Sequence, residues 1–253
     1  MVSVPVESLT CLVTASTSIM GSDMLKKVPV LKEKNSLRRE ALRHFTALAT
    51  FLVAGGVGVN LANAATPKPI TLLVVGDSLS AEYGLARGSG WVALLQKQLA
   101  LEERNAVVVN ASISGDTTSG GRSRLAALLR QHRPTHVVLE LGANDALRGL
   151  PLGMTQTNLT EMAKASKAAG AAVVLVGMQI PPNYGRKYAD DFFRMFAAVA
   201  KSENLALVPF LLKGVADAPQ AEALFQADRI HPNAQAHPAM FNNVWLVLKP
   251  LLG

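Results

Sequence analysis

The chain has 253 residues, with hydrophobic residues at 49%, charged residues at 17% and a formal net charge of +7. That balance suits one globular domain with a substantial core and excludes a disordered or fibrous chain. The first 64 residues hold seven Lys/Arg against four Asp/Glu, the remaining cations are scattered and aromatics are only 5%, so the basic, aromatic-interleaved stripe of a nucleic-acid binder is missing.

In chain order, Arg38, Arg39 and Arg43 precede an apolar run from Phe45 to Val59 that leads to Ala62-Asn63-Ala64. This is the pattern of a signal peptide, over 1–64, cleaved after Ala64. The run is short for a transmembrane anchor and is broken by Gly55, Gly56 and Gly58. The stretch ahead of it is long for such a signal, and Met20 and Met24 are alternative starts. Arg38-Arg39 matches a twin-arginine signal only loosely, so a Sec-type route is expected. Export implies a periplasmic or otherwise secreted protein. The single cysteine, Cys11, lies upstream of the cleavage, which excludes disulfides, a thiol nucleophile and Cys-ligated zinc from the mature chain.

A short linker, 65–69, opens the domain proper at 70–253. Apolar β-rich runs at Ile70–Val75, Ala106–Asn110, His136–Leu141, Ala171–Met178 and Leu205–Pro209 predict five strands. Between them, Trp91–Leu101 and Ser123–His132 place Leu and Ala at the three- and four-residue spacing of one-sided helices. Runs such as Leu72-Leu73-Val74-Val75 are apolar on both faces, as in a sheet covered on both sides. The expected fold is therefore α/β: a three-layer sandwich around a five-stranded, mostly parallel sheet.

Ligands of such sheets sit beyond the carboxyl ends of the strands. There the sequence carries Gly76-Asp77-Ser78, Ser112-Ile113-Ser114-Gly115-Asp116 and Gly142-Ala143-Asn144-Asp145. Turn chemistry alone favours Gly, Asn, Asp and Ser, but three such ends in succession suggest a site. A serine attacks a carbonyl only when a base takes its proton and a third group orients that base. Of the five histidines, His44 lies in the presequence, and His132 and His136 have structural settings. His231 is set in Asp228-Arg229-Ile230-His231-Pro232, where one turn can bring Asp228 to one imidazole nitrogen and leave the other for Ser78. Pro232 is expected in the first turn of the last helix, and His237 inside that helix with no carboxylate nearby. Candidate oxyanion donors are the Ser78 N–H, the Gly115 N–H and the Asn144 amide, each worth roughly 3 kcal/mol in comparable enzymes.

Taken together, Gly76-Asp77-Ser78-Leu79-Ser80, Gly115 in SISGDTTSGG, Asn144 in GAND and Asp228/His231 in DRIHP resemble the four blocks of the SGNH (GDSL) hydrolases, in order. GxSxG does not occur, so an ordinary α/β-hydrolase elbow is a poorer match. The segments ELGANDALRGLP and PPNYGRKY are similar to the thioesterase I/lysophospholipase/arylesterase branch, with Ala143 where relatives often have Gly. The resemblance implies a flavodoxin-like sheet, Ser78 as nucleophile, His231 and Asp228 as base and orienter, and Ser78, Gly115 and Asn144 as the oxyanion hole. It implies a small-molecule acyl ester or thioester substrate, no metal or organic cofactor, and membrane contact only through a lipid substrate; oligomeric state is left open.

Leu147, Leu150, Pro181, Pro182 and Tyr184 are expected to wall an acyl site, and Arg148 and Arg186 could meet an anionic head group. Asp77 and Asp145 are expected to fix loops rather than move protons. A carbohydrate acetyl esterase and a non-catalytic flavodoxin-like binding module are the alternative functions.

Overall fold

Leu72, Leu73, Val74 and Val75 are fully buried in β1 (Ile70–Gly76), and this apolar strand is paired on both sides. The computed structural model describes residues 69–253; the presequence and most of the linker, and with them the expected signal peptide, lie outside the described residues. β1 pairs in parallel with β2 (Ala106–Asn110) and with β3 (His136–Glu140), Leu72 standing opposite Val108 on one side and His136 on the other. β4 (Ala172–Val176) and β5 (Ala206–Val208) extend the sheet beyond β3, giving the order β2-β1-β3-β4-β5 with every pairing parallel. That is the flavodoxin-like order that the family resemblance implies. Its reversal point lies between β1 and β3, where such sheets open a ligand crevice.

Parallel neighbours need crossover connections, which place helices on both faces of the sheet. α1 (Trp91–Leu101) packs with α6 (His237–Leu248) on one side, and α2 (Thr118–His132), α4 (Leu152–Ala168) and α5 (Arg186–Glu203) pack in a row on the other. The short α3 (Ala143–Leu147) follows β3 directly. Fully buried Trp91, Phe192, Phe196 and Met162 fill the two layers between helices and sheet.

Two helix boundaries differ from the sequence expectation, each for a tertiary reason. α2 starts five residues earlier than its apolar periodicity suggests, through the helix-weakening pair Gly120-Gly121. The Thr117 side chain caps the Gly120 N–H at 3.3 Å, and Gly121 packs so close that a Cβ there would stand 2.3 Å from Leu141. The last helix begins at His237, not at Pro232; Pro232 instead bridges to Phe225 across the loop that carries His231.

Candidate active site

β1 ends in a turn held by its own side chains. The Asp77 carboxylate accepts the Leu79 N–H at 3.0 Å, and its carbonyl accepts the Ala81 N–H at 2.9 Å. The chain thus reverses sharply and leaves Ser78 half-buried at the strand end. β2 keeps to the edge of β1 beyond its last strand residue, since Ala111 and Ile113 donate to the carbonyls of Val74 and Gly76 at 2.9 and 3.0 Å. Asn110 adds a side-chain bond to the Ser80 carbonyl at 2.7 Å. These contacts seat the Gly115 loop beside the nucleophile turn.

His231 lies across the crevice. Its Nε2 is 2.9 Å from Ser78 Oγ, and its Nδ1 is 2.7 Å from Asp228 Oδ2. The other carboxylate oxygen of Asp228 accepts the N–H groups of Ile230 and His231, each at 3.0 Å. Arg229 takes a left-handed conformation (φ 58°) to close that turn. Hydrogen bonds from His231 and Ile230 hold the Asp228 carboxyl down at about 2, so it remains an anion. The spacing expected to prebuild the pair does so through one Asx-type turn.

Gly115 has φ +79°, a conformation that costs little only for glycine. Among the described residues, the N–H groups of Ser78 and Gly115 have no intramolecular acceptor. The Asn144 amide points its Nδ2 at the Asp116 carbonyl (3.0 Å) and at Asp77 Oδ2 (3.2 Å). Both neighbours are acceptors, so the amide orientation follows from chemistry. Arg148, a candidate from the sequence for an anionic head group, donates to the Gly115 carbonyl at 2.8 Å and so braces the loop.

Asp145 is fully buried and accepts the Thr118 N–H at 2.8 Å and the Thr118 hydroxyl at 2.5 Å, tying α2 to α3. Asp77 likewise works through hydrogen bonds, as expected from the sequence.

One group was missed from the sequence. Glu140, at the end of β3, is fully buried beneath the nucleophile turn, where one carboxyl oxygen accepts the Ser80 hydroxyl at 2.6 Å and the Asp77 N–H at 3.3 Å. Gly76 leaves room for it, since a Cβ there would stand 2.8 Å from that oxygen. Burial raises the Glu140 pKa well above the ordinary carboxylate range, with Asp77 adding to it, and burial raises Asp77 to about 6. The signal in the sequence was a lone Glu inside the apolar run His136–Leu141, since charge in a doubly covered strand must be paired or neutral.

His237 is no rival base: it is buried, its Nδ1 accepts the Trp91 N–H at 3.0 Å, and burial lowers its pKa. His136 is also buried and bonded, to Thr135 Oγ1 and the Leu251 carbonyl. Leu147 is half-buried against the core, and Leu150 is half-buried with its carbonyl accepting the Tyr188 hydroxyl at 2.7 Å. Pro181 and Tyr184 are exposed, and Pro182 opens a 3-10 turn, Pro182–Tyr184, before α5. Arg186 is exposed in the first turn of α5. The aromatic ring that lies against the imidazole is Tyr83, 4.3 Å from it between centroids and tilted by 38°.

Comparison with known proteins agrees with this geometry. The model of the GDSL-like lipase/acylhydrolase family matches residues 74–239. The chain is 54% identical over 182 residues to esterase TesA of Pseudomonas aeruginosa, covering 72% of this chain and 89% of that one. It is 41% identical over 182 residues to thioesterase 1/protease 1/lysophospholipase L1 of Escherichia coli K12, covering 72% and 85%. The crystal structure of the psychrotrophic esterase EstA from Pseudoalteromonas sp., inhibited by monoethylphosphonate, superposes with a TM-score of 0.68 at 44% identity, covering 72% of this chain and 98% of that one. A serine, an imidazole and a carboxylate in hydrogen-bonded series at the reversal point of a β2-β1-β3-β4-β5 sheet, with these relatives, make the chain a member of the GDSL-like lipase/acylhydrolase family of SGNH hydrolases.

Proposed function

We propose that this chain is an exported serine esterase that hydrolyses small acyl esters or thioesters through an acyl-enzyme on Ser78. The observation that carries the reading is the unbroken series Ser78 Oγ, His231 and Asp228, with links of 2.9 and 2.7 Å. As Oγ attacks the substrate carbonyl, its proton passes to His231 Nε2, while Nδ1–H stays donated to the Asp228 carboxylate and fixes the tautomer.

The oxygen of the tetrahedral intermediate becomes an anion. The N–H groups of Ser78 and Gly115 and the Asn144 amide are the donors available to it. The longer of the two Asn144 bonds, to Asp77, is the one an oxyanion would share or displace. Collapse breaks the bond to the leaving alkoxide or thiolate, which takes the proton from Nε2. Water then attacks the acyl-enzyme with Nε2 again as base, the carboxylic acid leaves, and Ser78 regains its proton.

The relatives carry esterase, thioesterase and lysophospholipase names, which supports a broad acyl range. Export rests on the presequence pattern over 1–64. Among the described residues no helix is long and apolar enough to cross a membrane. Cell fractionation with N-terminal sequencing tests the export, and a mature chain starting at Ala65 is expected.

A fluorophosphonate should label the wild-type protein at Ser78. Absence of labelling, or equal labelling of Ser78→Ala, overturns the nucleophile assignment. Turnover across p-nitrophenyl esters of rising chain length, an acyl-CoA and a lysophospholipid defines the substrate range. Activity confined to acetate counts against a lipid-type acyl site.

A further inference from the structure

The nucleophile and the base come from chain segments far apart in sequence, and one side chain outside the triad touches both. Gln226 Nε2 donates to the Tyr83 carbonyl at 2.9 Å and to the Pro232 carbonyl at 3.0 Å. Tyr83 closes the turn that opens with the nucleophile, since its N–H donates to the Ser78 carbonyl at 3.3 Å. Pro232 directly follows His231. The two amide hydrogens of one residue are therefore divided between the nucleophile turn and the base loop.

The backbone of Gln226 reinforces the second attachment. Its N–H donates to the His231 carbonyl at 2.8 Å, and its own carbonyl accepts the Arg229 N–H at 2.9 Å. On the first side the fit is steric as well as polar. Gly84 has φ +70°, and a Cβ there would stand 2.0 Å from the Gln226 side-chain oxygen. The amide is thus lodged in a notch that only glycine leaves open. The Tyr83 ring, carried by the same turn, rests on the His231 imidazole.

We propose that Gln226 is a positioning residue for the hydrolytic reaction, a clasp between the nucleophile turn and the His231 loop that sets the Ser78–His231 separation and the seat of the Tyr83 ring on the imidazole. The proposal rests on the assignment of Ser78 and His231 as nucleophile and base. Both partners of the amide are carbonyls, so only a side chain with two donors and this length serves both. A displacement of about 1 Å between reacting groups can cost about a hundredfold in rate.

The test uses Gln226→Leu and Gln226→Glu, with Ser78→Ala alongside, reading the rate of fluorophosphonate labelling, kcat and KM on a p-nitrophenyl ester, and Tm. Leu retains most of the volume and removes both donors. It should slow labelling and lower kcat together by about tenfold to a hundredfold, with KM changed by less than about threefold. Glu keeps the shape and, when ionised, donates nothing; when protonated it regains one donor. Its labelling rate relative to wild type should therefore rise as pH is lowered from 8 to 5, which keeps the test open if the Leu variant fails to fold.

Labelling of folded Gln226→Leu at the wild-type rate overturns the clasp and leaves the nucleophile assignment standing. A fall in Tm with labelling unchanged also overturns it, because the role is then structural only. Labelling of Ser78→Ala at the wild-type rate overturns the underlying assignment itself.

Discussion

His231 Nε2 stands 2.9 Å from Ser78 Oγ although 153 residues separate the two in sequence. The hydrogen bond joins the first βα turn of the domain to the loop before its last helix. Its geometry therefore depends on every crossover between them.

His231→Ala should lower kcat by about four to six orders of magnitude with Tm nearly unchanged, because no other described imidazole reaches Ser78. Asp228→Asn should lose less, by about three to four orders of magnitude. An amide has one acceptor oxygen where the carboxylate has two, so either the imidazole or the loop N–H groups of Ile230 and His231 lose their partner. Steady-state kinetics on a p-nitrophenyl ester checks both, and equal losses would contradict the division of roles.

Asn144→Ala should lower kcat by about a hundredfold to a thousandfold while KM moves only a few-fold, since the amide acts on the oxyanion rather than the ground state. A KM effect without a kcat effect would instead assign Asn144 to substrate binding.

The orienting carboxylate must stay an anion for His231 to keep its Nδ1–H donated. Asp228, held at about 2, stays ionised from neutral pH down to the ordinary carboxylate range. Its contribution to stability is present above the ordinary carboxylate range and is lost only as pH falls toward 2. The Tm difference between wild type and Asp228→Asn should therefore hold constant from pH 7 to about 5 and shrink as pH falls toward 2, and a difference that shrank above about pH 5 would contradict this.

The buried pair beneath the turn works in the opposite sense. Burial raises Asp77 to about 6 and Glu140 well above the ordinary range. Each therefore binds its proton more tightly in the folded state. The stability this provides is fully present below the ordinary carboxylate range, near 4, and is lost as pH rises through about 6 and beyond. Glu140→Gln removes one of these carboxyls and its repulsion on the other, so Tm plotted from pH 4 to 8 should fall less steeply than in wild type. An unchanged slope would show that the pair does not titrate as its burial requires.

Arg229 holds φ 58°, where a side chain costs about 1 kcal/mol. Arg229→Gly should relieve that strain at about 0.5–1 kcal/mol of added chain entropy, leaving stability nearly unchanged and activity intact. Arg229→Val should cost about 1–2 kcal/mol and slow Ser78 labelling, because the turn that presents Asp228 to His231 deforms. Denaturant unfolding and labelling kinetics measure the two effects.

The strand runs were legible because period and burial are local properties. Leu72 to Val75 is apolar on both faces, and the strand is buried on both faces. The Asp228–His231 pair was legible for the same reason, since three residues and one turn suffice to build it. The early start of α2 was not, because Gly120 and Gly121 oppose helix locally and are accepted only where Asp116, beside Gly120, and Leu141, beside Gly121, leave no space for a side chain. Tertiary structure alone decided that the lone Glu140 of β3 would lie under Ser80 and Asp77, and that Gln226 would reach Tyr83 across 143 residues. Sequence by itself determined which chemical groups stand at the strand ends. Which of them meet was set by the sheet order, because parallel strands joined by crossovers bring ends together that no spacing along the chain relates.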